Sequence, residues 1–209
     1  MKFFQNLQND GISSRAQIRL LDNTFMRLVF SFTAVPFVGI PFAIWIYLLG
    51  DELGPTIAWI MVYLLCAVAI RIWHRRYQRE AKENDEDAVL RRWLPRINKV
   101  AFIHGLGISS LYLITPQTHN FDFFLLLNIS IAAIVAANAT HLTPVISTFT
   151  RFFFASWGLL NLGIIWRLED VMFIVLMLNL LYGFAIYRHA LTSHAFFIQQ
   201  EIGRASCRE

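Results

Sequence analysis

The sequence has little charge and little cysteine for its length. Charged residues make up 15% of its 209 residues, whereas soluble domains carry about 25%, so the composition argues against an ordinary soluble domain. Only two cysteines are present, and their spacing gives neither a disulfide framework nor a cysteine-based metal site. The first 27 residues also lack the apolar core and the small-residue cleavage site of a signal peptide.

No soluble catalytic motif is present. The chain contains no glycine-rich dinucleotide fingerprint, no P-loop, no HExxH and no GxSxG. The sequence therefore predicts no catalytic, cofactor-binding or metal site. Nucleic acid is not an expected partner either, although the isoelectric point is about 9.3, because the basic residues flank apolar runs and membrane topology explains them.

Apolar residues, by contrast, are abundant and lie in long runs. They make up 56% of the chain, Phe alone occurs 19 times, and the mean hydropathy is +0.50. Runs of this kind predict membrane-spanning helices, so the bilayer is the expected environment. We expect an all-α polytopic domain over residues 28–187, a bundle of six transmembrane helices. The predicted spans are 28–49, 56–72, 100–114, 123–139, 144–166 and 171–187.

The basic segment 71–99 sets the expected orientation. It holds nine of the 18 Lys and Arg residues, and cytoplasmic loops carry an excess of these residues. The turns expected on the opposite side hold only Arg167. The sequence therefore predicts a multi-pass membrane protein with both termini in the cytoplasm, and a break at Asn84 and Asp85 that divides the segment into two helical arms. The topology-determining residues are Arg71, Arg75, Arg76, Arg79, Arg91, Arg92, Arg96 and Lys99.

Residues 1–27 precede the predicted bundle. Their apolar positions recur at helical spacing, which favours either a short helix on the inner membrane surface or an ordinary juxtamembrane extension. Ser14 with Gln17 fits a capping box at the start of such a helix. These apolar positions are Ile18, Leu21, Phe25 and Leu28.

Residues 188–200 follow the sixth span without a Gly or Pro. We therefore expect the sixth helix to continue into the cytoplasm as a signalling helix, on which Leu191, His194 and Ile198 occupy the interacting face. In this fragment the helix should project without a packing partner, with its apolar residues exposed. The final segment 201–209, EIGRASCRE, resembles the translation of a common sequencing adapter. We expect it to be a non-native tail that adds no packed structure.

Polar residues within the spans are predicted to join helices. His104 and His141 lie near inner span ends and could form a metal or haem pair, but a lone intramembrane His more often hydrogen-bonds a neighbouring helix. Thr143 and Pro144 should cap and begin the fifth helix, and Arg151 should reach back to the inner interface. The residues predicted to pack or join helices are His104, Gly105, Gly107, Asn128, Asn138, Asn161 and Asn179.

Three features together resemble the membrane input regions of bacterial signalling proteins. They are the six short-looped spans, the basic loop with Arg91-Arg92-Trp93, and a third span rich in Gly and Ser. Such regions precede histidine-kinase or GGDEF-type cyclase modules, and the exit HALTSHAFFIQQ is similar to exits that enter a coiled coil. The resemblance implies the input region of a sensor histidine kinase of a two-component system, truncated before its output module, and a homodimer formed through the sixth helix.

Two rival functions remain open from the sequence. The same region could feed a diguanylate cyclase, or the chain could be a small complete transporter or channel. Ion-coupled transporters usually carry an acidic residue deep in a span, and no predicted span contains one. No phosphoacceptor or nucleotide-binding motif is present, so the resemblance carries over no catalytic residue.

Overall fold

The computed structural model describes residues 12–115, 121–166 and 172–206, which form six α-helices and no strand. The predicted all-α class is therefore confirmed for this part of the chain. The predicted turn residues 116–120 and 167–170 lie outside it. The helices are α1 (Ser14–Leu49), α2 (Gly54–Glu83), α3 (Glu86–Ile114), α4 (Phe121–His141), α5 (Ile146–Trp166) and α6 (Met172–Ser206).

Local sequence explains both ends of α1. The Ser13 side chain accepts a hydrogen bond from the backbone N–H of Ala16 at 3.3 Å, so the N-cap lies one residue before the predicted Ser14. At the other end, Gly50 has a φ of 77° and caps the carbonyls of the last turn. Glycine adopts this left-handed conformation without strain. Between these caps α1 continues through residue 28, so the predicted N-terminal helix is continuous with the first span.

The connection between α4 and α5 differs from the prediction. The Thr143 hydroxyl donates to the carbonyl oxygen of Thr140 at 3.5 Å, at the end of α4. A backbone hydrogen bond from Val145 to Leu142 closes the turn. Because the hydroxyl serves the preceding helix, α5 begins at Ile146 and not at the expected Pro144.

Five helices, α1 to α4 and α6, are long and apolar enough to cross a membrane. The chain is therefore a helical bundle of membrane type. α5 falls outside this set although it has 21 residues, since it carries Arg151, Asn161 and several Ser and Thr residues. It nevertheless lies in the middle of the bundle, where it packs most extensively against α3.

Four helices are longer than the roughly 20 residues that cross a bilayer. α1, α2, α3 and α6 contain 36, 30, 29 and 35 residues. Their extra turns pack together at one end of the bundle in what we call the basal layer, residues 14–27, 73–83, 86–97 and 188–203. The break between α2 and α3 falls at residues 84–85, as predicted, and the Asp85 carboxylate caps α3.

Aromatic side chains form the core of the basal layer. Phe25, Tyr77 and Trp93 are almost completely buried. The ring centroids of Phe25 and Tyr77 are 5.4 Å apart, and those of Tyr77 and Trp93 are 5.6 Å apart. The two predicted arms and the predicted surface segment therefore pack together, and their core is continuous with that of the rest of the bundle.

The end of α6 belongs to this layer, which corrects the prediction that it projects freely. The helix is unbroken, as expected, but Leu191, Phe197 and Ile198 are half-buried against the core, and only Phe196 is strongly exposed. Glu201 is buried as well. Groups from other elements reach this part of α6: Arg19 of α1 pairs with Glu201, the Arg27 guanidinium lies 5.6 Å from the Phe197 ring, and His194 bonds to the Thr143 carbonyl.

Candidate functional site

α3 and α5 meet along a seam of small residues, Gly105 and Ser109 of α3 against Ala155 and Ser156 of α5. A Cβ added at Gly105 would collide with the carbonyl oxygen of Phe152 and lie 3.0 Å from the backbone nitrogen of Ser156. The Ser109 hydroxyl donates to the Ser156 carbonyl at 2.7 Å. Small residues permit this close approach of two backbones, so a larger side chain at Gly105 would force the two helices apart.

His104 lies beside the seam and is fully buried. Its Nε2 is 2.8 Å from the Ser31 hydroxyl of α1, and its ring stacks on Phe32 with a centroid distance of 4.0 Å. Its Nδ1 has no hydrogen-bond partner among the described residues. No group of three possible metal ligands occurs in the described part of the chain.

Gly107 faces α2, on another side of α3 from Gly105. A Cβ there would lie 2.5 Å from the Tyr63 hydroxyl oxygen. That hydroxyl donates to the His104 carbonyl at 3.1 Å, and the Trp59 indole donates to the Gly107 carbonyl at 2.8 Å. The two glycines expected to pack helices thus lie against two different neighbours.

One buried polar cluster was missed by the sequence reasoning. The Asn98 side-chain oxygen accepts from Thr148 at 2.7 Å and from Ser147 at 3.4 Å, which joins the middle of α3 to the start of α5. The available signal was spacing, because Ala101, Gly105 and Ser109 follow Asn98 along one face of α3. Asn98 was overlooked because it lies inside the basic segment, which had been assigned to topology alone.

Asn128 of α4 and Asn179 of α6 form a reciprocal amide pair. Each side-chain nitrogen donates to the other's oxygen, at 3.1 and 2.9 Å. The pair lines a cavity of about 460 Å³ that also contacts Ala132, Val175 and Tyr182. We call this the lateral cavity. Its walls are otherwise apolar, and it is partly open toward the surroundings of the bundle.

Asn138 and Asn161 do not join helices in the same way. Their side-chain nitrogens donate to carbonyls of their own helices, those of Ile134 and Trp157. Their side-chain oxygens have no partner among the described residues. Arg151 is exposed on α5 and lies in no closed cavity.

The predicted basic residues divide into two groups. The guanidinium groups of Arg76 and Arg92 lie 3.0 and 3.3 Å from the Glu80 carboxylate, to which the Trp93 indole also donates. Hydrogen bonds from Arg76 and Trp93 lower the pKa of Glu80. The remaining residues have no acidic partner among the described residues. They are Arg71, Arg75, Arg79, Arg91, Arg96 and Lys99.

Three polar contacts secure the lower end of α6. The Nδ1 atom of His194 donates to the Thr143 carbonyl at 2.8 Å, and the Arg27 guanidinium lies 5.6 Å from the Phe197 ring. Arg19 pairs with Glu201 at 2.5 Å. The expectation that residues 201–209 add no packed structure is therefore wrong at Glu201.

Comparison with known proteins gives no relative from which to transfer a function. No protein-family model matches the chain, and neither the curated proteins nor the solved structures contain a match. The function must therefore be argued from the helices, the lateral cavity and the basal layer.

Proposed function

We propose that the chain is the membrane-embedded input region of a bacterial signal-transduction protein, most consistent with a sensor histidine kinase. One observation carries the proposal: α6 is a single helix that lines the lateral cavity near its start and packs into the basal layer at its end. A shift of α6 at the cavity would therefore reach the basal layer without an intervening hinge.

The contacts of α6 fit such a movable element. Among the described residues, α6 packs mainly against α4 and α5, and most of its most apolar stretch is exposed. Interhelical amide contacts in membranes contribute about 1 kcal/mol, so the Asn128–Asn179 pair can separate and reform. An apolar molecule that enters the lateral cavity would favour the separated arrangement, as a ligand shifts a two-state equilibrium toward the form it binds better.

The polar groups of the seam support a packing role over a solute path. The hydroxyls of Ser109 and Ser156 donate to backbone carbonyls, and the Asn98 side-chain oxygen accepts from two hydroxyl groups. The transporter alternative would need these groups to face an open route. A diguanylate cyclase output would use the same input mechanism and remains the alternative for the missing module.

A chimera tests the signalling proposal. Residues 1–200 would be fused in heptad register to a histidine-kinase core of known output, with one or seven residues inserted at the junction. One residue rotates the core by about 100°, so we expect a sharp change in kinase activity, while seven residues should largely restore it. Equal activity from the two insertions would contradict transmission through α6.

The orientation of the chain is a separate part of the proposal. We propose six spans in a bacterial inner membrane, with the basal layer in the cytoplasm and a homodimer formed beyond the exposed Phe196. The basic residues on the basal arms support this orientation. A periplasm-specific reporter inserted after Asp51 should be active, and the same reporter after Asn84 should be inactive. The opposite pattern would contradict the orientation.

A further inference from the structure

A second groove, which we call the α2–α3 groove, lies apart from the lateral cavity. It has a volume of about 180 Å³ and is lined entirely by apolar side chains. Ala69, Ile70 and Trp73 of α2 form one wall, Val100 and Ile103 of α3 form the other, and Phe32 of α1 lies at its base. Ala69 and Ile103 are exposed, so the groove is open along its side and has room for part of one acyl chain.

Aromatic and cationic groups lie at the basal end of this groove. The Trp73 ring, 45% exposed, meets the Trp93 ring edge-on at 6.4 Å. The Arg96 guanidinium lies 5.2 Å from the Trp93 ring. Lys99 directly precedes the groove residue Val100 and is exposed. Two cations are therefore present where the apolar groove ends.

These two cations belong to the basic residues of the segment that have no acidic partner among the described residues. Arg76 and Arg92 share the Glu80 carboxylate, whereas neither Arg96 nor Lys99 forms an ion pair within the described residues. The basal end of the groove therefore presents positive charge that only an external anion would balance.

We propose that the α2–α3 groove binds an anionic phospholipid of the adjoining leaflet. One acyl chain lies in the groove, and the Trp73 indole lies at the level of the headgroup, where Trp is enriched in membrane proteins. The phosphate and the rest of the anionic headgroup meet Arg96 and Lys99 through charge-assisted hydrogen bonds. A zwitterionic headgroup would bring its own cation toward this positive charge, so the groove discriminates between the two lipid classes.

The proposal needs the chain to lie in a membrane but does not depend on the signalling function. A negative result with the kinase chimera would not affect the lipid-binding proposal. Failure of lipid selectivity would leave the α6 mechanism standing, since the α2–α3 groove contains no α6 residue.

Lipid competition on the purified full chain tests the headgroup contacts. Binding of phosphatidylglycerol and phosphatidylcholine would be compared by native mass spectrometry from detergent micelles. Each cation near a membrane surface contributes about fivefold in affinity, so we expect a preference for phosphatidylglycerol of about 30-fold. The double variant Arg96→Gln, Lys99→Gln should lose this preference. Equal binding of the two lipids to the unmodified chain would overturn the proposal.

A charge-matched control distinguishes lipid binding in the α2–α3 groove from general attraction of anionic lipids to the basic segment. Arg75 and Arg79 are exposed cations of the same basic segment, and at 100° per residue they face away from Trp73. The double variant Arg75→Gln, Arg79→Gln should keep the preference. If it loses as much selectivity as the Arg96 and Lys99 variant, the effect is diffuse and the groove is not the site.

Filling the groove tests the acyl chain. Ala69→Phe places a ring in the groove from an exposed position, so folding should be retained, as thermal unfolding in detergent would verify. We expect it to weaken phosphatidylglycerol binding at least tenfold. Glycerol phosphate and inorganic phosphate should not displace the lipid at millimolar concentration. Displacement by either, or unchanged lipid binding in the folded Ala69→Phe variant, would overturn the proposal.

Discussion

α5 is mostly buried but only moderately apolar, whereas α6 is apolar but mostly exposed. Of the 21 residues of α5, 14 are buried, yet this helix falls outside the set that is apolar enough to cross a membrane. α6 is well within that set, yet only 28% of its most apolar stretch is buried. A helix that faces lipid must be apolar, whereas a helix surrounded by protein can satisfy Ser, Thr and Asn through its neighbours. For this pair of helices, the apolarity expected of a membrane span is met by the more exposed helix and not by the more buried one.

The comparison also separates a close helix contact from a more open one. The seam of α3 and α5 contains backbone contacts that leave no room for a methyl group at Gly105. α4 and α6 enclose the lateral cavity and are joined across it by one amide pair. We therefore expect substitutions at the seam to reduce stability, and those at the lateral cavity to alter the position of α6.

The largest effect is expected at the seam. Gly105→Ala should destabilise the bundle by about 3 kcal/mol, the upper end for overpacking, because its Cβ meets backbone atoms that cannot move separately. Gly158→Ala on the open face of α5, where nothing lies within 4 Å, is the matched control and should be neutral or slightly stabilising. Unfolding in detergent micelles measures both. Equal stability of the two variants would remove the distinction between seam and periphery.

A smaller effect is expected at the amide pair. A double-mutant cycle of Asn128→Leu and Asn179→Leu should give a coupling free energy of about 1 kcal/mol. Asn161→Leu serves as the control, since the Asn161 side chain bonds only to its own helix in the described residues, and it should show no coupling to either. A coupling of zero between Asn128 and Asn179 would mean that the pair does not hold α6.

The lower end of α6 should respond to pH. Burial lowers the pKa of His194 from 6.5, and hydrogen bonds to the carbonyls of Thr143 and Pro144 oppose this only in part. The folded state therefore binds a proton at His194 less tightly than the unfolded state does. The stability of the folded state is highest above pH 6.5 and falls as the pH drops toward the lowered pKa. After correction for the intrinsic pH dependence of amide exchange, hydrogen-exchange protection at the end of α6 should be lower at pH 5.5 than at pH 7.5.

Two variants test which histidine causes the pH response. His194→Gln should flatten the pH dependence of exchange at the end of α6. His141→Gln is the comparison, because burial and then the Arg27 charge lower the pKa of His141 as well, although it lies on α4. If the response persists in His194→Gln and disappears in His141→Gln, the end of α4 is the pH-sensitive element.

The sequence predicted the helices well because composition and breaks are local. An apolar run determines the structure of its own residues. Gly50 and the Asn84–Asp85 break likewise end the helices next to them. The basal layer could not be predicted in this way. Its core joins Phe25, Tyr77 and Trp93 from three helices, and the amphipathic pattern of each helix is equally typical of a helix lying on a membrane.

The partner of each polar residue could not be predicted for a related reason. A polar residue within a span indicates that a partner exists, but its spacing does not say which helix supplies it. Asn128 and Asn179 form hydrogen bonds between α4 and α6, whereas Asn138 and Asn161 bond to their own helices. His104 bonds to Ser31, which no motif had singled out.

The smallest effect is expected at the very end of α6. Removal of residues 201–209 eliminates the Arg19–Glu201 ion pair, but the Arg19 side chain is 42% exposed and regains water. The loss should therefore stay below about 1 kcal/mol. Leu191, His194 and Ile198 should keep the helix in the basal layer, as spin-label distances between α1 and α6 would show. Release of α6 in the 1–200 chain would mean that Glu201 organises the basal layer. The resemblance of 201–209 to an adapter would then be coincidental, which the genomic sequence beyond the codon for Gln200 would check independently.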